Sequence, residues 1–146
     1  MKRKMIAFLL LIAFSFALCG CQGDWRYDLI GGYAITRINS KCICLVYYEE
    51  PDGPGSYVIE NFFVTDFCRN ERFIGVQGIP TADIFAADEE LVQTERCFYL
   101  VDTVDGNVYG PYSGQEEWMA QCNAVGAENL PAWRSTDGLG AYANGE

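Results

Sequence analysis

Two cysteines stand one residue apart at the end of an apolar run, in "FALCGCQGD", Phe16 to Asp24. That spacing could serve a disulfide, a metal site or a processing signal. A lone Cys-x-Cys with no second close pair and no histidine is not a zinc spacing. The rest of the chemical inventory is narrower still. The chain has no histidine, which removes Ser-His-Asp and Cys-His nucleophile activation and all imidazole acid–base work. Carboxylate chemistry remains, as in glycoside hydrolysis, where two acids face one cavity. The adjacent acids are Glu49-Glu50, Glu89-Glu90 and Glu116-Glu117. Neighbours in a strand point to opposite faces, and in a helix they diverge by about 100°, so none of these pairs is placed as a dyad. The expectation is a non-enzymatic protein with no catalytic residues, no metal and no cofactor beyond covalent lipid.

What precedes the two cysteines explains them. Lys2, Arg3 and Lys4 form a basic start, and Met5 to Phe16 is apolar except for Ser15. Charge followed by an apolar run of about 7–15 residues is a secretory signal, and such a run is short for crossing a bilayer. Leu18-Cys19-Gly20-Cys21 resembles the bacterial lipobox. The resemblance implies cleavage between Gly20 and Cys21, a diacylglycerol thioether on Cys21 and acylation of the new amine. Cys19 would leave with the signal. Each buried methylene contributes about 0.8 kcal/mol, and two or three chains hold a protein on a membrane where one does not. The rival reading is a signal cut by the ordinary peptidase. Gln22, after the anchor cysteine, favours the outer membrane if the cell has one.

The chain from Cys21 onward keeps seven basic and twenty acidic residues, a formal charge of −13. That charge disfavours nucleic acid and anionic lipid and leaves a basic envelope protein as a candidate partner. With half of its residues apolar, the chain carries enough hydrophobic surface for one packed domain.

The elements that would position any site read as follows. Residues 1–20 form a helical signal peptide, 21–32 a lipidated N-terminus and tether, 33–134 one α+β domain, and 135–146 a flexible tail. Trp25, Tyr27 and Leu29 alternate with charged residues, so this piece is either a short edge strand or tether. Tyr33 to Tyr48 is a hairpin with Asn39-Ser40 as its turn, and "EEPDGPGS", Glu49 to Ser56, is a loop. Tyr57 to Phe67 and Arg72 to Ile79 are strands joined by a turn over Cys68 to Glu71. Pro80 to Thr94 fits a short helix or a long acidic loop. Cys97 to Ser113 is a hairpin whose turn is Asp105-Gly106, two positions that tolerate positive φ, and Gly110-Pro111 stops the return strand. Ser113 and Glu116 form a capping box for a helix whose stripe is Trp118, Cys122 and Val125 with Met119 alongside, ended by Gly126. Together these make an antiparallel meander of about five or six strands with the helix packed on one face.

Five cysteines remain after Cys21: Cys42, Cys44, Cys68, Cys97 and Cys122. Export permits disulfides, and an odd number leaves at least one unpaired if all pairs are internal. Cys42 and Cys44 share one face of a strand and so do not readily bridge each other. The alternatives are disulfides or small buried hydrophobes.

The segment Tyr99 to Thr103, "YLVDT", followed by "VYGPYS", Val108 to Ser113, and the acidic pair Glu116-Glu117 resembles a motif of small uncharacterised bacterial lipoproteins. "RINS", Arg37 to Ser40, after a lipobox and a tryptophan, fits the same pattern. The resemblance implies a fold and a lipid-anchored address on the exported side. It implies no reaction and supplies no catalytic residues. Three functions follow as expectations: an envelope or protein-contact component, an acidic inhibitor or immunity-type binder of a cationic envelope enzyme, and a carboxylate hydrolase.

Overall fold

The computed structural model describes residues 24–38, 42–84 and 95–140. The signal peptide, Gly20, Cys21, the Asn39-Ser40 turn, Glu89-Glu90 and the last six residues lie outside the described residues. The chain is a sheet-dominated α+β protein. Among the described residues it has nine strands, β1 (Trp25–Asp28), β2 (Tyr33–Ile38), β3 (Cys42–Tyr48), β4 (Gly55–Tyr57), β5 (Phe62–Arg69), β6 (Phe73–Pro80), β7 (Cys97–Asp102), β8 (Val108–Tyr112) and β9 (Arg134–Ser135), and one helix, α1 (Gln115–Val125).

Instead of one meander of five or six strands there are two antiparallel sheets, in the orders β1-β2-β3-β4 and β8-β7-β6-β5-β9. Alternation decides the faces. In β2 and β3, Ile35 pairs with Leu45, and both point into one core with Phe62, Val64, Ile74 and Val101 of the larger sheet. The two sheets therefore bury their apolar faces against each other. Residues of opposite parity, Cys42, Cys44 and Val46, form a second cluster on the outer face of the smaller sheet, closed by Ile84. A third cluster lies on the outer face of the larger sheet, where α1 brings Trp118 and Cys122 onto Cys68, Phe73 and Leu100.

A bulge resets β5. Register shifts between Val64 and Asp66, so Val64 and Phe67 both face the inter-sheet core while Cys68 faces α1. The extra residue, Thr65, is tied down from both sides. Its hydroxyl donates to the Gln77 carbonyl at 3.2 Å, and its own carbonyl accepts the Thr136 amide at 2.9 Å. That contact directly follows β9, which pairs Arg134 and Ser135 with Phe67 and Asp66.

Trp25–Asp28 takes the edge-strand alternative, paired with β2, with Trp25 buried. Other local expectations change. The stretch from Tyr57 to Phe67 divides at residues 58–61, and β5 runs on through Arg69. The Asp105-Gly106 turn is longer than two residues: the Asp102 amide donates to the Asn107 carbonyl at 2.9 Å, and Gly106 N–H reaches back to the Asp102 carbonyl at 2.8 Å. Gly106 alone of the two has positive φ, 72°, the left-handed position of a four-residue loop. Gly110-Pro111 does not stop β8, because an edge strand spares proline's missing N–H.

The capping box is absent: Gly114 is the N-cap, without a side-chain cap bond, and Ser113 instead faces Glu117 at 3.4 Å. Gly126 does end α1 in the left-handed conformation, and the Ala127 amide closes on the Cys122 carbonyl at 2.7 Å. Of the expected stripe, Trp118 and Cys122 are buried, Val125 is half-buried and Met119 is 50 % exposed. Beyond β9, Thr136 and Leu139 are buried, so the chain belongs to the core at least to Leu139.

Candidate functional site

The residues that could do chemistry are distributed among the three clusters. Cys42 and Cys44 lie on one face of β3, and the Cys42 thiol donates to the Ile84 carbonyl. Desolvation, and then the neighbouring Cys42, push the Cys44 thiol up to about 12. Cys68 and Cys122 meet between the larger sheet and α1. Burial pushes Cys68 up to about 12, against an opposing hydrogen bond from Gly75, and pushes Cys122 up to about 11. Cys97 sits in the inter-sheet core, its thiol also raised by burial. All five of these cysteines are buried, and none forms a disulfide. A nucleophilic or metal-binding cysteine needs the thiolate, which these surroundings disfavour for Cys44, Cys68, Cys97 and Cys122. Among the described residues no three Cys, Asp or Glu side chains cluster in a way that could hold a metal ion.

The acid pairs within the described residues, Glu49-Glu50 and Glu116-Glu117, are exposed. Among the described residues the buried acid is Asp102, at the end of β7. Asp102 is 2 % exposed. Arg72 grips it through Nε at 3.0 and 3.1 Å and through Nη2 at 2.6 Å. The amides of Val104 and Asp105 donate to the same carboxylate at 3.1 and 3.4 Å. Arg72 also reaches Asp105 at 3.0 Å. The Arg72 hydrogen bonds, ahead of any other influence, hold the Asp102 carboxyl below its ordinary range. This acid is fully committed to holding the β7–β8 loop.

Among the described residues a half-open groove lies elsewhere. A groove of about 240 Å³ runs between α1 and the segment that follows it, lined by Trp118, Met119, Leu130, Trp133, Asn123 and Glu128 among others. Its floor is aromatic. The Trp118 and Trp133 rings lie 4.8 Å apart at 42°, with Phe98 6.3 Å from Trp118 and 6.0 Å from Trp133. The Trp118 indole N–H is spent on the Tyr99 carbonyl at 3.1 Å. Beneath it, Gly75 is required by close approach: a Cβ there would stand 2.7 Å from Cys68 Sγ and 2.8 Å from Trp118 Cζ2. A volume below the roughly 300–1,000 Å³ of small-molecule pockets suits one or two inserted side chains better than a whole ligand. The apolar stripe foreshadowed Trp118; nothing in the pattern foreshadowed Trp133 as its partner.

Comparison with protein-family models, curated proteins and solved structures returned no match. Among the described residues no helix is long and apolar enough to cross a membrane.

Proposed function

We propose that the chain is a lipoprotein of the kind its C-terminal motif resembles, held on the exported side of a membrane by lipid on Cys21, whose folded body works by protein contact rather than by catalysis. One observation carries the reading: Leu18-Cys19-Gly20-Cys21 follows a basic start and an apolar run, and strand β1 begins four residues after Cys21. The proposed modification thus falls just outside the sheet. In cells, Cys21→Ser is expected to lose fatty-acid labelling and to leave the membrane fraction. A variant that still labels and still sediments with membranes ends the proposal.

A second reading, an acidic inhibitor or immunity-type binder of a cationic envelope enzyme, is favoured by the formal charge of −13 from Cys21 onward. Capture of a basic envelope protein that weakens as salt rises supports it, and salt-independent capture counts against it. A carboxylate hydrolase would need two acids about 5–10 Å apart facing one cavity. Among the described residues the groove is lined by a single acid, Glu128, and so offers that reading no acid pair.

A further inference from the structure

We propose that the groove between α1 and the Glu128–Trp133 segment is a docking site for a cationic segment of a partner protein, one that inserts an apolar side chain between flanking lysines or arginines. This rests on the protein-contact reading above and gives that contact a place and a chemistry.

Three features select the occupant. The groove combines the two tilted, touching tryptophans with Met119, which is 50 % exposed. Tryptophan dominates binding hot spots, and methionine adapts its shape to an inserted side chain. The charge of the groove is acidic: Glu128 is the one charged side chain among its lining residues, and Glu116 is exposed beside Gln115, which also lines it. A cationic flank therefore meets attraction from Glu128. The charge of −13 also argues against the two other occupants an apolar groove might take. A second copy of the chain would be repelled, and so would an anionic lipid surface.

The test uses the full chain in nanodiscs of neutral lipid, with empty nanodiscs as the blank. The probe is a labelled synthetic peptide of lysines and arginines around a central leucine–phenylalanine pair, read by fluorescence polarisation. Saturable binding is expected. It should weaken about tenfold when serines replace the leucine–phenylalanine pair, and comparably for Met119→Ser or Glu128→Lys. Met119 and Glu128 are exposed, so unchanged thermal melts will verify that these variants fold. Val104→Ser, at an exposed tip outside the groove, should bind like the parent. Absence of saturable binding overturns the proposal. So does equal binding of the serine peptide, which would mean diffuse charge attraction only, and so does indifference to both groove variants. Dimerisation abolished by Met119→Ser would assign the groove to a second copy and also overturn it. Membrane release of Cys21→Ser reads the anchor alone. A partner photocrosslinked in cells from Val104 but not from Met119 would keep the contact reading while ending the groove.

Discussion

Arg72 and Asp102 form a bidentate pair in which the two partners differ sharply in exposure: the arginine side chain is 49 % exposed and the carboxylate 3 %. The acid is buried because it is also the acceptor for two amides of the loop it precedes. Replacing Asp102 by alanine strands those amides and should destabilise the chain by about 1–3 kcal/mol, measured by urea unfolding at neutral pH.

The same pair sets an acid limit. Asp102 is held below its ordinary range, so its contribution is complete above the unfolded value of about 3.9 and is lost as pH falls through the lower folded value. The stability gap between the parent and Asp102→Asn should be constant from neutral pH down to about pH 4 and narrow below it. A gap that ignores pH would show that the carboxylate's charge is not what Arg72 holds.

The buried thiols make the opposite prediction at high pH. Cys44 and Cys68 are held up to about 12 and Cys122 to about 11, against about 8.5 unfolded. Above the unfolded value the unfolded chain sheds protons that the folded chain retains, so stability falls as pH rises from about 8.5. A Cys44→Ala, Cys68→Ala double variant should show a shallower decline between about pH 8.5 and 9.5. If Cys21 carries lipid, at neutral pH a thiol reagent should label the native chain hardly at all, and should find the five thiols of Cys42, Cys44, Cys68, Cys97 and Cys122 in guanidinium. Recovery of three or one would reveal disulfides in the exported protein.

Gly75→Ala places a methyl 2.7 Å from Cys68 Sγ and 2.8 Å from Trp118. Overpacking of this kind costs about 1–3 kcal/mol, and the shift should also move Trp118 relative to Trp133. A lowered melting temperature together with an altered tryptophan emission spectrum is the expected result. An unchanged spectrum would mean that the sheet yields and the helix does not.

Gly106 tests the loop alone. No atom stands within 4 Å of a Cβ built there, and φ is +72°, so Gly106→Ala isolates the left-handed backbone cost of about 1 kcal/mol. Gly106→Asn should recover part of it. Equal stability for all three residues would show that the loop relaxes.

The local alternation of the strands was legible. Ile35 and Leu45 read as strand residues and became core, and the shared face of Cys42 and Cys44 is as spacing requires. What depends on distant partners was not. The split into two sheets turns on which strands leave β4 and β5 unpaired with each other, and no local pattern encodes that. The bulge at Thr65 reverses the parity of β5 midway, so a strict period of two misassigns half the strand. Leu139 reads as part of a Gly- and Ala-rich tail, yet it is 1 % exposed, because β9 pairs with residues some seventy positions earlier. The groove was half legible: Trp118 lay on the stripe, while Trp133 reaches it through a loop with no periodicity.

One neighbourhood has a mechanical consequence. Gly140 lies so close to Trp25 that a Cβ on it would stand 2.9 Å from the indole Cδ1. The first strand and the turn over residues 136–139 thus share one pole of the domain. At the other end of β1, Gly31 lies against Thr103, within 3.8 Å of a Cβ built on Gly31, at the base of the tip that exposes Val104. With lipid on Cys21, the leash to Trp25 spans at most about 14 Å. If Cys21 carries lipid, so short a stem confines the encounters of the domain to partners that lie close to the same membrane surface.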